Sequence, residues 1–364
     1  MKNNKPAVLH HKYSLEDGHV TPQISKVEGY RGIAVTTGSR QRRTGSPFKS
    51  ALTLKAIRTD PSLLDRYNVK AAHVHHGTLG AKFLFLKEQH GIPLFVSFRG
   101  NDATAYPKKK KENLAALKQL FQTADRFFPV CNHLKQKIIK LGCPEHKIRV
   151  LYGGVDVHRF KCRPRKLMPE KKVRFLAIGR FVEKKGFSEL IQAFAKVKKR
   201  KKKVKLTLIG QGPCEKEYRK LIKRLKLGSS VQLIPWVDYR SIHDKYHGSH
   251  IFCAPSCTDR SGNQEGIPNT LKEAMATGMP VIATNHAGIP ELVDHKVSGL
   301  LVPEKSVAKL AKAMGWLADH PGTWEGLGRQ ARNKIETHFN MNRQLEKQKD
   351  YYDELLSEKQ LPGQ

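Results

Sequence analysis

The sequence predicts an α/β protein made of two Rossmann-like, doubly wound parallel-sheet domains that face a cleft. Three observations carry that expectation. The chain has 364 residues, more than a single hydrophobic core usually organises. From about Ala71 onward one phrase recurs, a short apolar run, a turn containing glycine and then an amphipathic stretch, which is the pattern of βα units. Residues 159–172 interrupt it with Pro164, Pro169 and clustered basic side chains but no apolar period. The expected division is an N-terminal domain over 1–160, a linker over 161–172, a second domain over 173–335 and a helical tail over 336–364. Ligands of such sheets sit beyond the carboxyl ends of the strands, so the chemistry is expected there.

In chain order, 7–10 and 32–36 read as strands and 40–50 as a basic loop. Residues 72–75 read as a strand, 79–89 as a helix and 93–98 as the next strand. The segments 124–130, 134–141 and 147–151 repeat strand, helix, strand. Val173–Ile178 opens the second series, followed by a helix over 188–199, a strand over 205–209, a helix over 215–225 and a strand at Val231–Ile234. Ile251–Ala254, a helix after Pro268, and strands over 281–283 and 299–302 complete it. Trp324, Leu327, Ala331, Ile335 and Phe339 recur at helical spacing, which predicts helix from Trp324 to near Lys359.

Composition narrows the class. With 39% hydrophobic and 27% charged residues the chain can bury real cores, so wholesale disorder is excluded. The 28 glycines and 19 prolines have no triplet period, which excludes collagen, and 6 cysteines are too few for a disulfide scaffold. Cys253 and Cys257 lack a second pair or histidines at zinc spacing, so reduced core thiols are expected. The start, 1–20, has no apolar core of signal-peptide length, and no run approaches the ~18 apolar residues a spanning helix needs. A cytoplasmic protein is the expectation.

The 67 lysines and arginines exceed the 32 acidic residues by +35. That charge invites nucleic acid, an anionic membrane surface or an anionic substrate. The excess is spread over both halves, +20 over 1–165 and +15 over 166–364, so it is not a basic tail. The runs 108–111 and 198–203 adjoin helical segments, as solvated lysines at helix ends do. No zinc-finger, aromatic-basic RNA-binding or zipper pattern accompanies the charge, so no nucleic-acid partner is expected.

Three motifs carry chemistry. Gly179-Arg180-Phe181-Val182-Glu183-Lys184-Lys185-Gly186 follows a strand and places Arg180 and Lys185 where two cations can meet one diphosphate; an exposed basic loop is the plainer alternative. Gly210-Gln211-Gly212 follows the next strand and admits close approach of a ligand or of another backbone. Gly266-Ile267-Pro268-Asn269 opens a helix whose first amides suit an anion, with Glu265 just before it and Glu273 inside it. Two carboxylates beside a phosphate nest repel phosphate, and make sense if one grips ribose hydroxyls and the other faces a sugar.

At these residues the resemblance becomes specific. The run Val173 to Pro303, with GRFVEKKG, LIGQGP, EGIPNTLKEAMATGMPV, AGIPEL and SGLLVP in order, resembles the nucleotide-binding half of retaining glycosyltransferases of family four. Looser phrases around His73-Val74-His75-His76-Gly77, Ser97-Phe98-Arg99-Gly100-Asn101-Asp102 and Gly153-Gly154-Val155-Asp156 resemble the colanic-acid and exopolysaccharide branch. The resemblance implies the GT-B architecture. It implies that Arg180 and Lys185 hold the donor diphosphate, that Glu273 takes the ribose hydroxyls and that Glu265 contacts the donor sugar. Gly179, Gly210, Gly212, Gly266, Ile267, Pro268 and Asn269 would line the donor site. Arg99 stands where the family often has histidine, and could stabilise developing phosphate charge or form a structural salt bridge. The loop 14–22 holds only Gly18 where paired glycines are common.

The implied reaction moves a sugar from a UDP- or GDP-linked donor, with retention, to a polysaccharide or lipid-linked glycan, with no other cofactor. No Asp-x-Asp pair occurs in the sequence, which fits metal-independent transfer. The basic N-terminal half fits docking on an anionic membrane from the cytoplasmic side. A sugar phosphorylase, a sucrose- or trehalose-type synthase or a nucleotide-sugar epimerase shares the architecture, and a basic nucleic-acid-binding protein is the alternative from another class.

Overall fold

The computed structural model describes residues 5–11, 20–37, 51–167, 172–239 and 241–358. The chain forms two compact units, residues 1–154 with 341–364, and residues 155–340. The expected basic loop over 40–50, the glycine-poor loop up to His19 and Pro169 lie outside the described residues.

In the first unit, strands β1 (Ala7–His11), β2 (Arg31–Thr36), β3 (Ala51–Thr53), β4 (Val69–Val74), β5 (Leu94–Phe98) and β6 (Arg126–Pro129) pair in parallel in the order β3-β2-β1-β4-β5-β6. β1 and β5 are buried at all five positions, as expected of strands covered on both faces. In the second, β7 (Val173–Ile178), β8 (Val204–Ile209), β9 (Val231–Ile234), β10 (Ile251–Ala254), β11 (Val281–Thr284) and β12 (Leu300–Val302) run in the order β12-β11-β10-β7-β8-β9. Read from its own first strand, this is the same doubly wound order as the first unit. The helix Phe187–Arg200 buries Phe187, Leu190, Ile191, Phe194 and Val197 on one stripe and carries its lysines elsewhere.

Three elements differ from expectation. Residues 147–151 form no strand: a 3-10 turn Glu145–Lys147 is followed by one isolated bridge from Ile148 to Phe127, after which only the Arg149 and Leu151 amides reach β6, at the Phe127 and Pro129 carbonyls, while the Lys147 ammonium bonds the carbonyls of Phe121, Gln122 and Ala124. The segment 79–89 begins as a 3-10 helix, Gly77–Phe83, and becomes α only at Leu84–His90. The long C-terminal helix is broken. Trp324–Lys334 runs into a π turn, Ile335–Phe339, and extended Asn340 bridges Val155 before Met341–Glu358 starts. That last helix belongs to the first unit, where Met341, Leu345, Tyr352 and Leu355 pack with Val8, Phe95 and Phe128. The described part of the expected linker, 161–167, belongs to the second unit, with Arg165 only 5% exposed. All six cysteines are free, four of them buried, while Cys162 is exposed and Cys214 half-buried. Among the described residues no helix is long and apolar enough to cross a membrane.

The first unit also buries three stacked imidazoles. His10 on β1 pairs in register with His73 on β4, and His75 follows just beyond, with His73 and His75 rings 4.1 Å apart. His10 Nδ1 lies 3.0 Å from His75 Nε2, and His73 spans the Tyr352 hydroxyl and Ser97 Oγ at 2.6 and 2.8 Å. Burial pushes His10 down to about 3 and His73 well below the usual histidine range, with His10 and Arg99 adding to the latter. Both stay neutral when folded and would bind protons when unfolded. Stability is therefore complete above pH ~6.5 and falls as pH drops, by about 1.4 kcal/mol per pH unit for His10 alone. Urea unfolding of the first unit at stepped pH between 7 and 5 should show that loss; a flat profile would contradict it.

Candidate functional site

In the second sheet β7 lies beside β10, and the direction of winding reverses between them, which is where doubly wound sheets bind ligands. The loops after β7, β8 and β10 meet there. Gly179 donates to the Ile209 carbonyl, Phe181 to that of Gln211, and Cys214 to that of Phe181. Gly210, at φ +152°, lies so close to this loop that a Cβ would stand 2.0 Å from the Gly179 carbonyl oxygen. Gly212 closes the turn by accepting from the Glu215 amide. Of the two readings of Gly210-Gln211-Gly212, close approach to another backbone is the one these contacts display.

Across from them sits an ion cluster. The Lys185 ammonium is 2.9 Å from Glu265 Oε1 and that of Lys184 is 3.5 Å from the same oxygen. The Lys184 and Glu265 side chains are only 10% and 11% exposed. Burial alone would raise the Glu265 pKa, but Lys185 and Lys184 outweigh it and hold the carboxyl at about 2. Burial lowers Lys184, with Glu265 opposing, and Lys185 and Arg180 push it further down. Arg180 itself is exposed at the rim. Glu265 is thus an anion at any physiological pH, suited to accept hydrogen bonds or face positive charge and unable to act as a proton donor.

The loop that carries Glu265 is fixed from several sides. Its amide donates to His286 Nε2 at 3.1 Å, and His286 Nδ1 meets Glu304 Oε1 at 2.6 Å, so the imidazole donates through Nδ1 and accepts through Nε2. Burial would raise Glu304, but the Thr258 amide and the His286 ring hold it below the usual carboxylate range. Gly288 donates to the Gly266 carbonyl, and Thr270 Oγ1 to the Ile178 carbonyl at 3.0 Å. The helix Asn269–Ala276 starts with Pro268 as N-cap and no side-chain cap, leaving its leading amides toward the loop.

Glu273 is placed differently. It is 2% exposed and accepts the Tyr246 hydroxyl at 2.5 Å. Arg99 lies in the first unit, its guanidinium tied to the His75 carbonyl and Gln23 Oε1, both at 2.9 Å, which is anchoring geometry. Asp102 holds the Arg99 and Gly100 amides. The sequence reading missed Lys184, His286 and Glu304. The available signal was positional: Lys184 adjoins Lys185, and His286 and Glu304 each stand just beyond a strand end.

Two doubly wound sheets with paired cations and a carboxylate at a switch point define a GT-B protein. The profile described as Glycosyl transferases group 1 matches residues 159–334, and that described as Glycosyltransferase Family 4 matches 17–159. The chain belongs to this glycosyltransferase family. It is 35% identical over 231 residues to the putative colanic acid biosynthesis glycosyltransferase WcaL of Escherichia coli K12, covering 62% of this chain and 57% of WcaL. It is 33% identical over 272 residues to the amylovoran biosynthesis glycosyltransferase AmsK of Erwinia amylovora, covering 74% of this chain and 66% of AmsK. It thus spans less than two thirds of each of these relatives. The Anabaena protein HepE, solved in complex with UDP, shares the fold with a TM-score of 0.78 at 17% identity, over 97% of this chain and 100% of HepE.

Replacing Glu265 by Gln leaves Lys184 and Lys185 facing each other with no anion. Breaking such a pair costs about 3 kcal/mol, and removing both partners costs less. Guanidinium unfolding should show a clear loss in Glu265→Gln and partial recovery in Lys184→Met/Glu265→Gln; equal midpoints in wild type and Glu265→Gln would show that the cluster adds nothing.

Proposed function

We propose that the chain transfers a sugar from a UDP- or GDP-linked donor, with retention and without a metal ion, to a polysaccharide or lipid-linked glycan at the cytoplasmic face of a membrane. The observation that carries this reading is the Lys185–Glu265 pair at 2.9 Å, set between exposed Arg180 and the start of the helix Asn269–Ala276. A leaving nucleoside diphosphate needs a fixed positive field, and Lys185, Arg180 and the leading helix amides supply one. When the diphosphate claims Lys185, Glu265 is released to a sugar hydroxyl and to the positive charge growing at the anomeric carbon.

In the proposed step the bond from the anomeric carbon to the phosphate oxygen breaks with its electron pair on the diphosphate. The acceptor oxygen bonds to the same face of the sugar, and its proton passes to the departing phosphate oxygen. No protein nucleophile is required. Glu273 is assigned to the ribose hydroxyls, which its carboxylate can accept beside the Tyr246 hydroxyl bonded to Oε2. The relatives WcaL and AmsK, named for colanic acid and amylovoran biosynthesis, support a polysaccharide acceptor. HepE, solved with UDP-glucose, supports a nucleotide-sugar donor. The absence of an Asp-x-Asp pair supports metal independence, and the excess of +20 over residues 1–165 supports an anionic docking surface.

Free-nucleotide release from a panel of UDP-, GDP- and ADP-sugars tests the reading. One donor should be hydrolysed slowly, equally well in EDTA, and kcat should fall about a hundredfold in Lys185→Ala and Arg180→Ala. Neither release nor binding of any donor would refute the enzyme reading, and loss of turnover in EDTA would refute metal independence.

A further inference from the structure

We infer that the unit 155–340 carries a second, cationic pocket that binds a phosphate or diphosphate group. Its walls are Arg159, Lys161, Arg163, His243 and His247, around a cavity of about 430 Å³. Each wall is a cation or an imidazole. His243 and His247 stand on the same face of the helix Ile242–His247, one turn apart. The Arg159 guanidinium is held in place, bonded to the Tyr239 carbonyl and lying 3.8 Å from the centre of the Tyr239 ring.

A second observation lies behind these walls. Arg165 is 5% exposed, and among the described residues its guanidinium bonds only neutral oxygens, the carbonyls of Arg163 and Tyr246 and the Thr277 hydroxyl. Its Nε is buried with no hydrogen-bond partner among the described residues. Burial pushes it down to about 10, and among the described residues the one group that opposes this is Cys162, not a carboxylate. A buried cation without a counter-ion leaves uncancelled positive potential beside the pocket. His247 feels it: burial first, then Arg165, Arg163 and His243 push it down to about 4, against Asp244. Asp244 lies 3.2 Å from His243 Nε2, but its side chain is 72% exposed and forms no wall of the pocket.

The occupant that fits is a compact polyvalent oxyanion, since two guanidiniums, an ammonium and two imidazoles offer donors in several directions and no carboxylate stands among the walls. The pocket is separate from the lysine cluster. Arg163 donates its amide to the Thr277 carbonyl, at the far end of the helix Asn269–Ala276 from Glu265. Eight residues of helix put ~12 Å between those ends. The proposal therefore stands or falls independently of the donor reading.

Calorimetric titration of inorganic pyrophosphate into the whole chain carrying Lys185→Ala tests it, beside the same protein with Lys161→Ser and Arg163→Ser added. Both added sites are exposed, and circular dichroism checks the fold. Binding should persist in the first protein, weaken with added salt, and drop at least about tenfold in the second. In histidine-labelled protein the His243 and His247 resonances should move with the same titration. Equal affinity in the two proteins, no binding in the first, or unmoved His243 and His247 resonances would each overturn the site. Vesicles of phosphatidylcholine with phosphatidic acid then identify the source. Displacement of pyrophosphate assigns a lipid-borne phosphate, and its retention assigns a soluble one; either outcome keeps the site.

Discussion

The second unit depends on three loops whose backbones touch. A Cβ on Gly186 would stand 1.9 Å from the Pro255 carbonyl oxygen, and one on Gly210 would stand 2.0 Å from that of Gly179. Neither contact leaves room for adjustment, because backbone and not a flexible side chain lies on the other side. That contact fixes the electrostatics. With no side chain on Gly179, the stem of Lys185 lies over it, Cε 3.2 Å from where a Cβ would be, and the ammonium reaches Glu265. The Cys257 amide donates to the Lys184 carbonyl at 2.8 Å and locks the β10 loop to the β7 loop. The low pKa of Glu265 is therefore a result of backbone packing, transmitted through two lysines.

Charge imposes the second constraint. With 67 basic and 32 acidic side chains, ion pairing cannot neutralise even half of the cations. The surplus must be hydrated, bonded to carbonyls, or matched by an anion from outside. The structure uses the second route inside its units. Lys147 takes three carbonyls after the helix Lys111–Thr123, where the helix dipole favours a cation. Arg332 takes the carbonyls of Phe160, Ala276 and Val157, and its Nε donates to Glu336. Carbonyl bonding satisfies donors without cancelling charge, so wherever it replaces ion pairing a positive potential remains.

Much of this was legible in the sequence for a simple reason. A buried parallel strand is a short apolar run, and Val173–Ile178, Val231–Ile234 and Ile251–Ala254 can be read to the residue. The glycine turns and the Glu265 loop were legible because the chemistry lies in consecutive residues. What failed lies in contacts between distant residues. Apolar periodicity from Trp324 to Phe339 continues straight across Asn340, and only its bridge to Val155 reveals the break. His286 and Glu304 join the site through a relay of hydrogen bonds spanning three loops, which no local pattern encodes. Arg99 reads equally as a phosphate contact or as one arm of a salt bridge, and the partners that hold it, His75 and Gln23, are 24 and 76 residues away.

Glu265 and Glu273 show how one residue type acquires two environments within a single motif. Glu265, on a loop before the helix, is paired with two ammoniums and ionised far below neutral pH. Glu273, inside the helix Asn269–Ala276, is held by a phenol hydroxyl. That phenol has a second role, because Tyr246 accepts from Arg165 through its backbone carbonyl while its hydroxyl serves Glu273. Burial and the Glu273 carboxylate push the Tyr246 pKa well up, so the hydroxyl stays protonated and keeps donating. The helix Ile242–His247 therefore presents His243 and His247 to the cationic pocket and anchors Glu273 through Tyr246. Its position is fixed by a carboxylate through the Tyr246 side chain and by an uncompensated guanidinium through the Tyr246 backbone.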